Sequence, residues 1–139
     1  MKKVYVFLAD GFETVEALAP VDVMRRAGLD VVTVSIMGRR EVLSAQNVTV
    51  AADELYENVS FGDADALVLP GGGVGTENLS AHEPLRAQLV DACLRGLLVA
   101  AICAAPMVFG RIGILKGKKA TCYPGCEGDL FAAEHTARA

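Results

Sequence analysis

The sequence predicts an α/β fold in which helices cover both faces of a mostly parallel sheet. Short apolar runs alternate along the chain with segments of helical pattern. The runs are nearly continuous and do not alternate with polar residues, which is typical of parallel strands buried on both sides. Binding sites in such sheets lie beyond the carboxyl ends of the strands. The residues that directly follow each apolar run are therefore the candidates for function.

Length and composition limit the possible classes of protein. The 139 residues suit one domain spanning 1–139, and 53% hydrophobic with 22% charged residues is typical of a globular chain. The net charge of −4, without a basic block, argues against nucleic acid as a partner. No apolar run approaches the roughly 18 residues of a membrane span. The first apolar run ends at Asp10 with no cleavage site after it, so we expect a cytoplasmic protein.

The four cysteines are irregularly spaced, at positions 93, 103, 122 and 126. A chain of this length does not depend on disulfide bonds for stability, so free thiols in a reducing compartment are expected. Cys122 and Cys126 flank a turn, but no second Cys/His pair has suitable spacing for a metal. We expect neither a metal nor a cofactor.

The elements follow in order from these patterns. Five core strands are predicted, at Val4–Leu8, Val31–Ile36, Ala66–Leu69, Leu97–Ile102 and Lys119–Cys122. Three helices are predicted, at Thr14–Ala27, His82–Arg95 and Ala105–Ile112. Residues 41–43 and 48–51 suggest a small hairpin beside the sheet, and residues 53–63 a solvated loop with a helical turn. Residues 123–139 carry no strong pattern.

The first helix has two unusual features. Pro20 lies inside it and is expected to kink it or split it in two. Its apolar residues cover more than one face, whereas a helix packed only on a sheet shows one stripe. Either later segments of the same chain bury the second face, or a second subunit does.

Cys103 is the candidate nucleophile. It ends the apolar run L-L-V-A-A-I-C-A-A-P-M, where a strand is expected to turn sharply into a helix. Ala101 and Ala105 stand where the small residues of a nucleophile elbow stand. A helix N-terminus at this point favours the anionic form of the thiol. The alternative is a buried structural cysteine, which is our interpretation of the other three.

Two further strand ends should converge on this thiol. The glycines at 71–73 and 75 match neither G-x-G-x-x-G nor a phosphate loop, and they can instead supply half of an oxyanion hole with the N–H of Ala104. Glu13 and Glu16 begin the first helix, where acidic residues are favourable in solvent. One of them can instead reach Cys103, and spacing alone does not choose between these readings.

Four separated stretches resemble the ThiJ/PfpI superfamily, in its parkinsonism-associated deglycase-like branch. They are L-A-D-G-F-E-T-V-E-A-L-A-P-V-D-V-M-R-R-A-G, L-P-G-G-G-V-G-T-E-N-L, and A-A-I-C-A-A-P with A-T-C-Y-P-G. The resemblance implies a flavodoxin-like three-layer sandwich, close to class I glutamine amidotransferase domains. It also implies a homodimer through the first helix. The family's site residues map onto Cys103 as the elbow cysteine, Glu16 as its buried partner, Gly72 and Ala104 as oxyanion amides, and Arg26 near the partner subunit's site.

The chain departs from the family pattern in two ways. Tyr123 stands where better-studied members carry histidine, and tyrosine is a poor general base at neutral pH. Ala104 stands where the protease-like branch carries histidine, so peptidase activity is disfavoured. The family's last strand and helix are also missing, which is expected to leave a sheet edge uncovered.

The resemblance and the residues together support three hypotheses. The first is a cysteine-dependent glyoxalase- or deglycase-like enzyme that acts on small reactive carbonyls or on glycated thiols and amines. The second is a redox-sensing thiol protein or chaperone without turnover, in which Glu16 stabilises an oxidised Cys103. The third is a relic of the fold with neither activity.

Overall fold

The computed structural model describes residues 1–136. Within these residues nine strands are present: β1 Lys3–Leu8, β2 Asp30–Ser35, β3 Glu41–Leu43, β4 Thr49–Ala51, β5 Glu54–Leu55, β6 Ala66–Leu69, β7 Leu98–Ala101, β8 Lys119–Ala120 and β9 Glu134–His135. Four α-helices accompany them: α1 Thr14–Arg26, α2 Gly73–Ala81, α3 Glu83–Leu94 and α4 Pro106–Arg111. Short 3-10 turns lie at Tyr56–Asn58 and Glu127–Asp129.

The main sheet is parallel throughout, as the apolar runs predict. Its five strands lie in the order β5-β2-β1-β6-β7, with β1 at the centre. Val4 of β1 pairs with Val31 of β2 and with Ala66 of β6. Strands β3 and β4 form the predicted antiparallel hairpin outside this sheet. All carboxyl ends of the parallel strands therefore point to one edge, where the candidate residues follow.

The two faces of the sheet bury separate apolar clusters. Tyr5 and Phe7 of β1 face α2, α3 and α4, while Val4, Val6 and Leu8 face α1 and the hairpin. Phe7, Val6 and Leu8 are completely buried. Each such side chain contributes about 1.5–3 kcal/mol by leaving water. The alternation along β1 thus fixes which helix lies on which face.

Helix α1 is not split at Pro20. It runs unbroken through that residue, so the expectation of two pieces is wrong. Proline removes one main-chain hydrogen bond. Ala17 and Val21 are buried against the sheet on either side of it, and this packing holds the helix in register. Burial of one helical stripe offsets the lost bond.

Three further expectations need correction. The glycine loop is shorter than predicted, because helix α2 already begins at Gly73. The segment predicted as a solvated loop contains β5, which pairs with β2 as an edge strand. The predicted strand at Lys119–Cys122 does not join the main sheet, since β8 pairs with β9. Strands of two residues carry too little pattern to be recognised from sequence. Part of the patternless segment, residues 137–139, lies outside the described residues.

Strand β7 is only partly buried, whereas its apolar run predicts burial on both faces. Leu98 is 65% exposed and Ile102 is 51% exposed. A groove of about 730 Å³ lies between these side chains and α1, with Pro20 and Met24 on its opposite wall. Within residues 1–136, β7 is an edge strand of the main sheet. None of the helices in this part of the chain is long and apolar enough to cross a membrane.

Candidate active site

The site is centred on the turn between β7 and α4. Cys103 adopts φ 61°, in the left-handed region that non-glycine residues rarely occupy. Ala105, two residues later, is fully buried, and α4 begins at Pro106. A larger residue at 105 would not fit this turn. Strain of this kind, about 1–3 kcal/mol, is typical of functional positions and holds the thiol at the end of the strand.

Two glycines bring the loop after β6 against this turn. A Cβ on Gly71 would lie 2.6 Å from the Cβ of Cys103 and would collide with the Glu16 carboxylate. Gly72 has φ 98°, and a Cβ there would collide with the Gly11 carbonyl oxygen. Both positions therefore exclude side chains for steric reasons. The loop, the first turn of α1 and the elbow converge at the edge of the sheet.

The structure distinguishes the two candidate glutamates. Glu13 is the N-cap of α1, where its Oε2 accepts the backbone N–H of Glu16 at 2.7 Å. Its carboxylate is thus committed to the helix terminus. Glu16 extends instead towards Gly71 and Cys103, and its Oε1 is buried with no hydrogen-bond partner among the described residues. A buried acceptor without a partner costs about 1–3 kcal/mol, which singles this oxygen out.

The protonation of Cys103 differs from the sequence prediction. Burial raises the pKa of the thiol above its ordinary value, and the Glu16 carboxylate raises it further because a nearby negative charge favours the neutral form. The N–H groups of Gly72 and Ala104 act in the opposite direction and lower the pKa. The expectation of an anionic resting thiol is wrong, since desolvation and the carboxylate outweigh the amides. The thiol is neutral at rest, with a proton acceptor beside it.

A cavity of about 420 Å³ opens beside the thiol. Its lining includes Glu16, Ile102, Cys103, Pro106, Cys122 and Tyr123. The backbone N–H of Tyr123 donates to the carbonyl oxygen of Cys103 at 2.6 Å, while its side chain is 58% exposed. Sequence reasoning treated Cys122 as a structural thiol. The A-T-C-Y-P-G motif was the available signal that this residue lies at the site.

Asp10 and Arg26 do not line this cavity. The Asp10 carboxylate pairs with Arg39 and accepts the N–H of Leu43, so it anchors the hairpin. Arg26 lies on the exposed side of α1, where its Nε donates to Asp22 at 2.8 Å, and it does not line the cavity. Across residues 1–136 no cluster of three or more His, Cys, Asp or Glu side chains could hold a metal ion.

The fold and the elbow define a flavodoxin-like α/β protein with a cysteine at the strand-to-helix turn. Comparison with family models narrows this class to one family, because the model of the DJ-1/PfpI family matches residues 2–138. The chain belongs to the DJ-1/PfpI family, which confirms the resemblance seen in its motifs.

Curated relatives and solved structures agree with this assignment. The chain is 37% identical to the Parkinson disease protein 7 homolog of Danio rerio, over 96% of this chain and 71% of that protein. It is 33% identical to the deglycase PYRAB04690 of Pyrococcus abyssi, over 94% of this chain and 78% of that one. A mutant of the DJ-1 superfamily protein STM1931 from Salmonella typhimurium superposes with a TM-score of 0.94 at 33% identity, over 99% and 75% of the two chains.

The matched share of the relatives varies. The chain is 40% identical to protein DJ-1 homolog B of Arabidopsis thaliana over 88% of its own length, and it spans only 28% of that protein. Drosophila melanogaster DJ-1beta superposes with a TM-score of 0.92 at 32% identity, over 97% of this chain and 73% of that one. The family match over residues 2–138 includes the five-stranded sheet and the elbow.

Proposed function

We propose that this chain is a cysteine-dependent enzyme that acts on small reactive carbonyls, with Cys103 as the nucleophile. One observation carries the proposal: a carboxylate and two backbone N–H groups interact with the thiol at the wall of a cavity. This arrangement suits addition to a carbonyl, which needs a proton acceptor for the nucleophile and donors for the oxyanion. The name of the deglycase relative from Pyrococcus abyssi agrees with such chemistry.

The first step follows from the protonation state. Cys103 is neutral at rest, and the adjacent Glu16 carboxylate accepts its proton as the sulfur attacks the aldehyde carbon. The C=O bond opens, and its oxygen takes up negative charge while the N–H groups of Gly72 and Ala104 hold it. Glu16 returns the proton to that oxygen, which gives a hemithioacetal and restores the Glu16 carboxylate. Activation here depends on a base beside the thiol and does not require a low thiol pKa.

For methylglyoxal, Glu16 can then complete the conversion to lactate. As a carboxylate it removes the hydrogen on the carbon bonded to sulfur, and as a carboxylic acid it returns a proton to the neighbouring carbon. The hemithioacetal becomes a thioester without net oxidation. Water hydrolyses the thioester, which releases lactate and restores the Cys103 thiol. Glycated thiols and amines are hemithioacetals and hemiaminals, which release the thiol or amine and the free aldehyde, and Cys103 can attack that aldehyde.

Tyr123 takes the place of the family histidine at the cavity. Its backbone holds the elbow through the bond to the Cys103 carbonyl, so replacement of the side chain leaves that contact intact. We propose that its hydroxyl donates a hydrogen bond to the substrate's second oxygen. Tyr123→Phe is then expected to raise KM several-fold and to change kcat less.

Lactate formation from methylglyoxal tests the proposal. The rate of the wild type is compared with Cys103→Ala, and Cys93→Ala serves as the control because Cys93 lies on α3, away from the cavity. We expect lactate formation to be abolished only in the Cys103 variant. Equal rates in wild type and Cys103→Ala would refute the proposal.

A second candidate function has support from the unpartnered Glu16 oxygen. In its protonated form this carboxyl can donate to an oxygen of an oxidised Cys103, so the site can act as a redox sensor or as a redox-controlled chaperone. Mild peroxide followed by mass spectrometry compares the oxidation of Cys103 with that of Cys93. Faster oxidation of Cys103 is expected. Equal rates of oxidation at Cys103 and Cys93 would refute this second function.

We propose that the protein forms a homodimer through α1. Val15 and Val23 are 67% and 63% exposed and lie two turns apart, with Ala19 between them on the same exposed face. This stripe suits the second subunit expected from the sequence, and Arg26 continues the same side of the helix. The free cysteines agree with a cytoplasmic setting, which we also propose.

Sedimentation equilibrium tests the dimer. Val23→Glu is expected to give monomers, while Leu94→Glu, at an 83% exposed position on α3, is expected to remain dimeric. A thermal melt of the wild type in the same buffer addresses the relic hypothesis. A cooperative melt is expected, and an aggregate without a transition would favour the relic.

A further inference from the structure

Two of the half-buried thiols share the wall of the site cavity. Cys103 and Cys122 both line it, whereas Cys93 and Cys126 do not. The proposed carbonyl chemistry uses Cys103 and leaves Cys122 without a role. A second thiol beside a reactive one is a candidate for redox chemistry, because a thiol attacks an oxidised sulfur readily.

The backbone brings the two residues within reach of a disulfide. The N–H of Tyr123, the residue after Cys122, lies 2.6 Å from the carbonyl oxygen of Cys103. Bond lengths and angles then limit the separation of the Cys103 and Cys122 Cα atoms to about 7 Å. Disulfides span roughly 4.4–6.8 Å between Cα atoms, and this range lies within that limit.

The surroundings of Cys122 make it unreactive until Cys103 has changed. Burial raises the pKa of the Cys122 thiol above its ordinary value, and the negative charge of the Glu127 carboxylate raises it further. A neutral thiol is a poor nucleophile towards peroxide. Cys103 has a carboxylate beside it to accept its proton, so peroxide is expected to react there first.

We propose that Cys122 is the resolving thiol of Cys103. A peroxide oxidises Cys103 to a sulfenic acid and is itself reduced to water or an alcohol. The Cys122 sulfur then attacks the sulfenic sulfur, the S–O bond breaks, and the departing hydroxide takes the Cys122 proton to form water. The two thiols together lose two electrons to one peroxide, and an external dithiol returns the disulfide to the reduced state.

The disulfide would have two consequences for the site. It prevents further oxidation of Cys103 to the irreversible sulfinic acid. It also occupies the nucleophile, so carbonyl turnover stops under oxidising conditions and resumes after reduction. The inference rests on the proposed reactivity of Cys103 but not on turnover of carbonyls.

Peptide mapping after one equivalent of hydrogen peroxide tests the inference. Free thiols are alkylated, and the protein is digested with trypsin without reduction. Cys103 lies in the peptide of residues 96–111, and Cys122 lies in that of residues 120–138. Fragmentation distinguishes Cys122 from Cys126 within the second peptide. We expect the two peptides to be joined through Cys103 and Cys122.

Two variants sharpen the result. Cys126→Ser is expected to retain the cross-link, while Cys122→Ser is expected to lose it and to accumulate Cys103 sulfinic acid severalfold faster. A link to Cys126, oxidation of Cys103 without any link, or an unoxidised Cys103 would each overturn the inference, and the wild-type map decides this even if Cys122→Ser fails to fold. Lactate formation without a cross-link would contradict only this inference, and a cross-link without lactate would contradict only the carbonyl proposal.

Discussion

Glu16→Gln separates the two effects that the glutamate has on Cys103. The substitution keeps the size of the side chain and removes both its charge and its ability to accept a proton. The pKa of Cys103 is expected to fall, because the carboxylate is one of the groups that raise it. Alkylation of the resting thiol at neutral pH should therefore become faster. Carbonyl turnover should instead become slower, because the base is gone.

The structure indicates the size of the loss in turnover. Glu13 is held at the helix cap by the N–H of Glu16, so no second carboxylate replaces the missing base. The full effect of general-base catalysis, about 10²–10⁴-fold in kcat, is expected to disappear. Folding should not suffer, because the substitution replaces a buried oxygen that has no partner. The melting temperature is expected to stay the same or rise.

The assay measures lactate formation and iodoacetamide alkylation for the same preparations. Glu13→Gln is the matched control, since glutamine still offers an oxygen to the N–H of Glu16. We expect it to leave both rates close to those of the wild type. If Glu16→Gln kept its turnover, or if its thiol became less reactive together with the turnover, the role given to Glu16 would be wrong.

Three further predictions concern the loop, the helix α4 and the alkaline limb of stability. Gly71→Ala would place a Cβ 2.6 Å from that of Cys103, and lactate formation should fall at least tenfold while circular dichroism shows the fold retained. Gly110→Ala would press on the backbone of Asp129, and urea denaturation should show a loss of about 1–3 kcal/mol, with an unchanged midpoint contradicting this contact. Burial raises the pKa of Tyr56 to about 12. The contribution of Tyr56 to the free energy of unfolding is therefore complete below the unfolded pKa near 10, and it is lost as pH rises through 12. Urea midpoints should fall over this range less in Tyr56→Phe than in the wild type.

The main sheet was predictable because each long strand carries its own signal. The apolar runs at β1, β2 and β6 fall within one residue of the observed strands. Strands β5 and β8 could not be found, because two residues define no period and their pairing depends on distant segments. The exposure of Leu98 on β7 could not be predicted either, since an apolar run has the same pattern whether or not another segment covers it.

Part of the candidate site could be predicted from sequence, because some of its residues also lie in local patterns. The elbow and the glycine loop are local patterns, so Cys103 and the glycines at 71–73 could be picked out from the chain, while Gly72 itself was singled out by the family resemblance. The choice between Glu13 and Glu16 needed the direction of two side chains at a helix terminus. The raised pKa of Cys103 could not be predicted from sequence, because it depends on Glu16, Gly72 and Ala104, which lie on three separate segments of the chain. Cys122 was missed as a site residue because its position depends on the contact between the backbones at Cys103 and Tyr123.

Alkylation of the unmutated protein tests most directly whether Cys103 is the reacting group. Iodoacetamide is added in steps, and each sample is divided between a lactate assay and peptide mapping of the four cysteines. The account predicts that residual activity falls in proportion to the modified fraction of Cys103, irrespective of the modification of Cys93. Full activity in a sample whose Cys103 is completely alkylated would contradict it.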